Sequence, residues 1–293
     1  MKVAIYGQAF NSTDKEYLIG LLDELQKNNT SFYIEEGFNE LVADYISGYN
    51  HGTFSQSSGL NTSFDMFVSF GGDGTMLRAV TYVKDLGIPI VGVNTGRLGF
   101  LSTFKKEDVR KIVTEFIAGH YSIEERSLVE VSLNSDLDEF GSLNFALNEI
   151  TVSRKDTTSM INVETYLNDE YLTSYWADGL IVSTPTGSTG YSLSCGGPVI
   201  EPSAKSLVLT PIAPHNLNAR PLVISDDTKI RLTASGREEN HLVALDSRIA
   251  SIPNGKEIRI QKSNFTVKMI VYNSESFLKT LRNKLLWGQD KRN

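Results

Sequence analysis

Cysteine is nearly absent from this chain: 293 residues carry only Cys195. One thiol cannot close an internal disulfide, and the start Met1-Lys2-Val3-Ala4-Ile5-Tyr6-Gly7 reads as a short strand, not a signal peptide, so a reducing cytoplasm is expected. Positive charge is also in short supply. Lys and Arg number 28 against 35 Asp and Glu, for a formal net charge of −7, which argues against a sequence-independent grip on nucleic acid. No apolar run approaches the roughly 20 residues a membrane-crossing helix needs, so no membrane partner is expected. Several familiar catalytic signatures are missing. Gly-Lys occurs once, at Gly255-Lys256, with Glu257 where a P-loop requires Ser or Thr. Gly72 and Gly74 are followed by Leu77 instead of the third glycine of a dinucleotide fingerprint. There is no Gly-x-Ser-x-Gly elbow. His51, His120, His215 and His241 are scattered, and none pairs at metal spacing with another or with Cys195.

What is present fills an ordinary folded protein, with 40% hydrophobic residues and enough length for one large or two ordinary cores. The first third alternates apolar runs with helical patterns. Strand Val3–Tyr6 precedes a helix with Leu18, Leu21, Leu22 and Leu25 on one face, and Thr13-Asp14-Lys15-Glu16 before it has the form of a capping box. Strands 31–34, 66–70 and 88–93 and helices 39–46 and 76–84 continue the rhythm, which predicts a mostly parallel, doubly wound sheet. The Gly-, Ser- and Asn-rich stretch His51–Ser63 reads as a loop. From about Tyr121 short β-prone runs separated by Asn, Asp and Gly predict an all-β unit, and Phe277, Leu278, Leu281, Leu285 and Leu286 predict a terminal amphipathic helix.

Three elements carry chemistry. Gly71-Gly72-Asp73-Gly74-Thr75 stands where a buried strand hands over to a helix. Glycines let a ligand approach the backbone, and the helix start points unpaired N–H groups at the same spot, which favours a phosphate on Gly71, Gly72 and Thr75. A carboxylate would repel that phosphate, so Asp73 reads as a base taking a proton from an attacking hydroxyl or as a magnesium ligand. The structural alternative is a tight turn with Asp73 as a helix cap. The second element, Asp178 through Pro198, is dense in glycine and hydroxyls: many donors with little bulk, suited to phosphate and ribose oxygens, with Tyr191 offering a flat face. A glycine-rich hairpin is its plainer alternative. Asn148-Glu149 is the third: Asn can read an adenine edge and Glu can accept from ribose hydroxyls. Adjacent polar residues at a strand edge are more often simply solvated, and Lys205, Lys256 and Arg259 read as solvated too.

Together these motifs, with Asn94-Thr95-Gly96-Arg97-Leu98-Gly99-Phe100-Leu101, Thr210-Pro211-Ile212-Ala213-Pro214-His215 and Arg220-Pro221-Leu222, resemble the NAD kinase family over nearly the whole chain. The resemblance implies an α/β domain over residues 1–120 carrying the glycine turn. It further implies a β-sandwich NAD-binding domain over 121–273, and a helix within 274–293 packing back on the first domain. It implies transfer of the γ-phosphoryl of ATP to the 2′-hydroxyl of the adenosine ribose of NAD, bound between the domains, with a divalent ion, expected to be Mg²⁺, held mainly through the nucleotide and no metal ligands of the protein's own. Asp73 would accept the proton, with Gly74 beside the ligand and Arg78 near its phosphates. Asn148 and Glu149 would hold the adenosine part, while Thr189, Gly190, Tyr191, Ser192, Leu193 and Ser194 would line the pocket. Asp178 and Ala213 would meet the nicotinamide end, in such enzymes often across a subunit interface, so a homodimer or homotetramer is implied. Where many members show Asp-Gly this chain has Asp246-Ser247-Arg248, and Arg248 is taken as a further contact. A lipid or sugar kinase sharing the first motif and a non-catalytic dinucleotide sensor are the alternatives.

Overall fold

The structure is a computed structural model that describes residues 1–133, 139–156, 159–272 and 276–287. The chain forms two compact units, Met1–Glu125 with Val267–Asn293, and Arg126–Thr266.

In the first unit β1 (Lys2–Tyr6), α1 (Lys15–Lys27), β2 (Ser31–Glu35), α2 (Glu36–Ile46), β3 (Gly52–Phe54), β4 (Met66–Phe70), α3 (Asp73–Val83), β5 (Ile90–Asn94), the two-residue β6 (Phe104–Lys105) and α4 (Val109–Ile117) follow one another. The parallel pairings run β3-β2-β1-β4-β5. Period-2 alternation decides which face each side chain covers. Val3, Ile5, Met66, Val68 and Phe70 join Leu18, Leu21 and Leu22 of α1, Phe38 and Val42 of α2, and Ile112 and Val113 of α4 in one core. The opposite face receives α3: a Cβ on Gly92 would stand 2.9 Å from Met76 Cε of α3. Helices on both faces make the sheet doubly wound.

Three local expectations are corrected. Helix α1 is not opened by the Thr13–Glu16 capping box. Asn11 instead accepts from the Thr13 N–H at 3.0 Å and starts a single 3-10 turn that leads into the helix. Within the stretch read as a loop, Gly52–Phe54 pairs with β2, because Phe54 finds a fully buried place on the sheet. Helix α3 begins at Asp73, three residues before the apolar periodicity shows it.

The second unit takes in most of β7 (Tyr121–Leu133), then β8 (Phe145–Ala146), β9 (Glu149–Arg154), β10 (Ile161–Leu167), β11 (Glu170–Ala177), β12 (Gly179–Ser183), the one-turn α5 (Tyr191–Ser194), β13 (Ser206–Ile212), β14 (Leu222–Ser225), β15 (Ile230–Ser235), β16 (Asn240–Leu245), β17 (Arg248–Pro253) and the first part of β18 (Glu257–Tyr272). One antiparallel sheet is ordered β14-β13-β12-β9-β16-β17. A second antiparallel array pairs β11 with β10, β10 with β15 and β15 with β18. Inward residues of both, among them Val152, Leu180, Val182 and Val243 from the first and Val163, Leu232 and Ile258 from the second, fill one core, which makes this unit a β-sandwich. The end of β18 returns to the first unit, where Met269 pairs with Ile90 of β5, and α6 (Phe277–Leu285) follows, capped by Ser276. Residues 273–275 and 288–293, part of the expected terminal segment, lie outside the described residues.

Candidate functional site

The chain winds from β1 outward through β2 to β3, then crosses back to place β4 on the other side of β1. A crevice forms at such a reversal, outside the carboxyl ends of the two strands, and open α/β sheets bind ligands there. Gly71-Gly72 follows β4 at this place, with Gly72 in the N-cap position of α3 and no side chain capping the helix. Gly71 is demanded by the protein itself, since a Cβ there would stand 2.3 Å from Thr75 Oγ1. Gly72 and Gly74 are different. A Cβ on either would meet nothing within 4 Å, so no internal contact requires them to lack a side chain, and the backbone there is open to a ligand.

Asp73 does not cap its own helix. Its carboxylate reaches the loop after β5 and accepts from the backbone N–H groups of Phe100 at 2.8 Å, Leu101 at 3.0 Å and Ser102 at 2.9 Å. Gly99 makes this approach possible, because a Cβ there would fall 1.8 Å from Asp73 Oδ1. The loop is stiffened from within by Asn94, whose side chain accepts from the Gly96 N–H and donates to the Arg97 and Ser102 carbonyls. Thus two motifs far apart in sequence are one hydrogen-bonded object. Arg78 lies exposed on α3, and its charge pulls against the burial that pushes the Tyr6 hydroxyl up to about 12.

In the second unit Asn148 immediately precedes β9 and Glu149 opens it, directly against the glycine-rich segment. That segment folds as a 3-10 turn over Thr186–Thr189 followed by α5, in place of a hairpin. Gly187 is required by close approach, as a Cβ there would stand 2.0 Å from the Asn148 carbonyl oxygen. A Cβ on Gly190 would lie 2.9 Å from Glu149 Oε2 and 3.3 Å from Asn148 Nδ2. Thr184 joins the two strands, its hydroxyl donating to the Leu147 carbonyl at 2.6 Å and accepting from the Gly187 N–H at 3.1 Å. Asn148 Oδ1 and Glu149 Oε2 are buried and have no hydrogen-bond partner. Buried polar atoms are nearly always satisfied, and these two oxygens, on adjacent residues, could accept hydrogen bonds from a ligand. Burial, with the neighbouring Asp246 carboxylate second, pushes Glu149 up to about 8.

The other sequence-predicted residues divide by environment. Tyr191 is 45% exposed, and its hydroxyl is raised by burial first and then by the charges of Cys195, Asp178 and Glu149. Asp178 pairs with Arg154 at 3.0 Å, and its N–H bonds to the Ile212 carbonyl, bringing it beside Ala213. Thr189 is partly buried and its hydroxyl donates to the Thr186 carbonyl at 3.2 Å. Leu193 is partly buried and Ser194 exposed. Ser192 is fully buried, its hydroxyl 2.7 Å from that of Thr210, on the face of β13 opposite Leu207 and Leu209, which fill the sandwich core. Arg248 spends two guanidinium nitrogens on the Leu143 and Phe145 carbonyls. Sequence reasoning quoted Asp246, Thr184 and Gly99 within motifs but gave none of them a role. For Asp246 a signal was available, an acidic residue in a two-residue hairpin turn.

Comparison with known proteins names the family. Family models described as the ATP-NAD kinase N-terminal and C-terminal domains match residues 22–121 and 147–272. An NAD kinase of Flavobacterium psychrophilum is 55% identical over the full length of both chains. The chain belongs to the NAD kinase family. Among solved structures, an NAD kinase from Archaeoglobus fulgidus in complex with ATP is 27% identical with a TM-score of 0.76, covering 98% of this chain and 99% of its own. Yeast NADH kinase complexed with NADH shares the fold at a TM-score of 0.86 and 22% identity, covering 99% of this chain and 89% of its own. The NAD kinase matches span both glycine-rich motifs and the Asn-Glu pair, the three elements built up above.

Proposed function

We propose that this enzyme transfers the γ-phosphoryl group of ATP to the 2′-hydroxyl of the adenosine ribose of NAD, giving NADP. The observation that carries the reading is the pair of buried, partnerless oxygens on Asn148 and Glu149, in a chain of NAD kinase ancestry. Asn148 suits an adenine edge and Glu149 suits ribose hydroxyls, and Thr189, Gly190, Tyr191, Ser192, Leu193 and Ser194 complete the lining. Asp178 and Ala213 take the nicotinamide end. A homodimer or homotetramer in the cytoplasm is part of the same reading.

Asp73 is the proton acceptor. A carboxylate offers about four acceptor sites, and three are taken by the amides of Phe100, Leu101 and Ser102, which fixes the group's direction and leaves one site for the hydroxyl proton. As the ribose oxygen attacks in line, the turn of Gly71, Gly72 and Thr75 at the start of α3 accommodates the phosphate oxygens of the donor, the Gly71 and Thr75 N–H groups themselves being bonded to the Val93 and Gly72 carbonyls, and Arg78 adds positive charge near the phosphates of NAD. Among the described residues no three His, Cys, Asp or Glu side chains gather to hold a metal. A divalent ion, Mg²⁺ in this reading, would be carried by the nucleotide phosphates and would offset charge on the transferring group.

The test is to incubate the protein with ATP, Mg²⁺ and NAD and to measure product with an NADP-specific dehydrogenase. Metal-dependent ADP release matched by reducible product is expected. ADP release that requires a lipid or sugar and ignores NAD would replace this reading, and NAD binding without ADP release would make the protein a sensor.

A further inference from the structure

The turn between β16 and β17 does more than reverse the chain. Leu245 pairs with Arg248, so Asp246-Ser247 forms the tip, with Asp246 in the left-handed region at φ 52°, a conformation Asp tolerates better than most side chains. The Asp246 carboxylate accepts from the backbone N–H groups of Leu147 at 2.9 Å, Asn148 at 2.9 Å and Glu149 at 3.2 Å. Its own N–H donates to the Glu149 carbonyl at 3.0 Å. Arg248 donates to the Leu143 and Phe145 carbonyls. One hairpin tip therefore grips six backbone groups of the segment 143–149.

That segment has little sheet pairing to fix it, since β8 is two residues long. Burying a carboxylate is unfavourable, and a hairpin tip needs no charge to close. What the three amide bonds settle is the direction of the two side chains whose buried oxygens lack partners.

We propose that Asp246 is a positioning residue for nucleotide recognition: by anchoring the amides of Leu147, Asn148 and Glu149 it aims Asn148 and Glu149 at the adenosine part of NAD, while Arg248 fixes the preceding carbonyls. The inference rests on the NAD-binding reading above. It also gives Arg248 a role through the backbone, as the second half of the same grip.

The test is Asp246→Asn, which keeps the shape but sets an NH2 group against backbone N–H donors, examined alone and combined with Asn148→Ala. Alone, the KM for NAD rises at least about tenfold while the KM for ATP changes less than about threefold, as expected for lost hydrogen bonds to a charged group. In the Asn148→Ala background the same change raises the KM for NAD by a smaller factor than it does alone, because one of the two residues it aims is gone. Full additivity with Asn148→Ala, or an equal rise in both KM values, would overturn the inference. Should Asp246→Asn fail to fold, Arg248→Lys, which loses one of the two carbonyl bonds, is expected to raise the KM for NAD about three- to tenfold; no change there overturns it as well. If Asn148→Ala and Glu149→Gln both leave the KM for NAD unmoved, the site reading itself falls and takes the inference with it; if they raise it and Asp246→Asn does not, only the positioning role fails.

Discussion

Glu149 gives the sharpest physical prediction, because its carboxyl is held up at about 8 by burial and by the Asp246 charge, against an ordinary value of 4.5. Below about pH 4 the group is neutral in both the folded and the unfolded chain and contributes nothing to the pH dependence. As pH rises from 4.5 to 8 the unfolded chain releases this proton while the folded chain keeps it, so the folded state is progressively destabilised, and the loss levels off above 8. At 1.36 kcal/mol per pH unit the gap sets a ceiling of about 5 kcal/mol. Glu149→Gln replaces the neutral acid by an amide of nearly the same shape and removes the titration. The variant should match the wild type within about 0.5 kcal/mol at pH 4 and exceed it by roughly 2 to 5 kcal/mol at pH 8.5. Thermal unfolding at the two pH values measures this, with about 2 to 4 °C expected per kcal/mol for a protein of this size. A stability difference that is the same at pH 4 and 8.5, or a variant less stable at the higher pH, would refute the claim that this carboxyl is held protonated in the folded site.

The remaining expectations follow from the same contacts. Two ribose hydroxyls donating to Glu149 would favour its anion, so NAD binding at pH 7 is expected to release a proton, seen as a buffer-dependent heat in calorimetry; identical heats in phosphate and Tris would count against it. Asp73→Asn should bind NAD nearly normally yet turn over about a hundred- to ten-thousandfold more slowly, and near-normal turnover would remove Asp73 from the mechanism. Gly72→Ala and Gly74→Ala should fold with little change in melting temperature, since the added methyl meets no atom of the protein within 4 Å, and should lose activity if the proposed nucleotide site is right. Gly71→Ala, whose Cβ would lie 2.3 Å from Thr75 Oγ1, should lower the melting temperature by several degrees; equal effects at all three positions would contradict the distinction.

The sequence by itself was enough for the two classes of architecture and for the family. Alternating β and α periods over the first third forecast a doubly wound sheet, short β-prone runs forecast the sandwich, and the Gly71–Thr75 turn announced itself by three glycines in four positions where a strand hands over to a helix. Local rules were less reliable where two solutions competed, as when Asn11 displaced the Thr13–Glu16 box at the start of α1, or where a fully buried Phe54 turned loop into strand. Only the tertiary structure revealed that Asp73 and the Phe100–Ser102 amides form one object, and that Asp246 and Arg248 grip the segment bearing Asn148 and Glu149. The reason is physical: a carboxylate that accepts three backbone N–H bonds from residues nearly 30 or 100 positions away leaves no periodicity in the sequence, because its donors are main-chain groups that every residue but proline possesses. Which amides it meets is decided by how the strands are ordered.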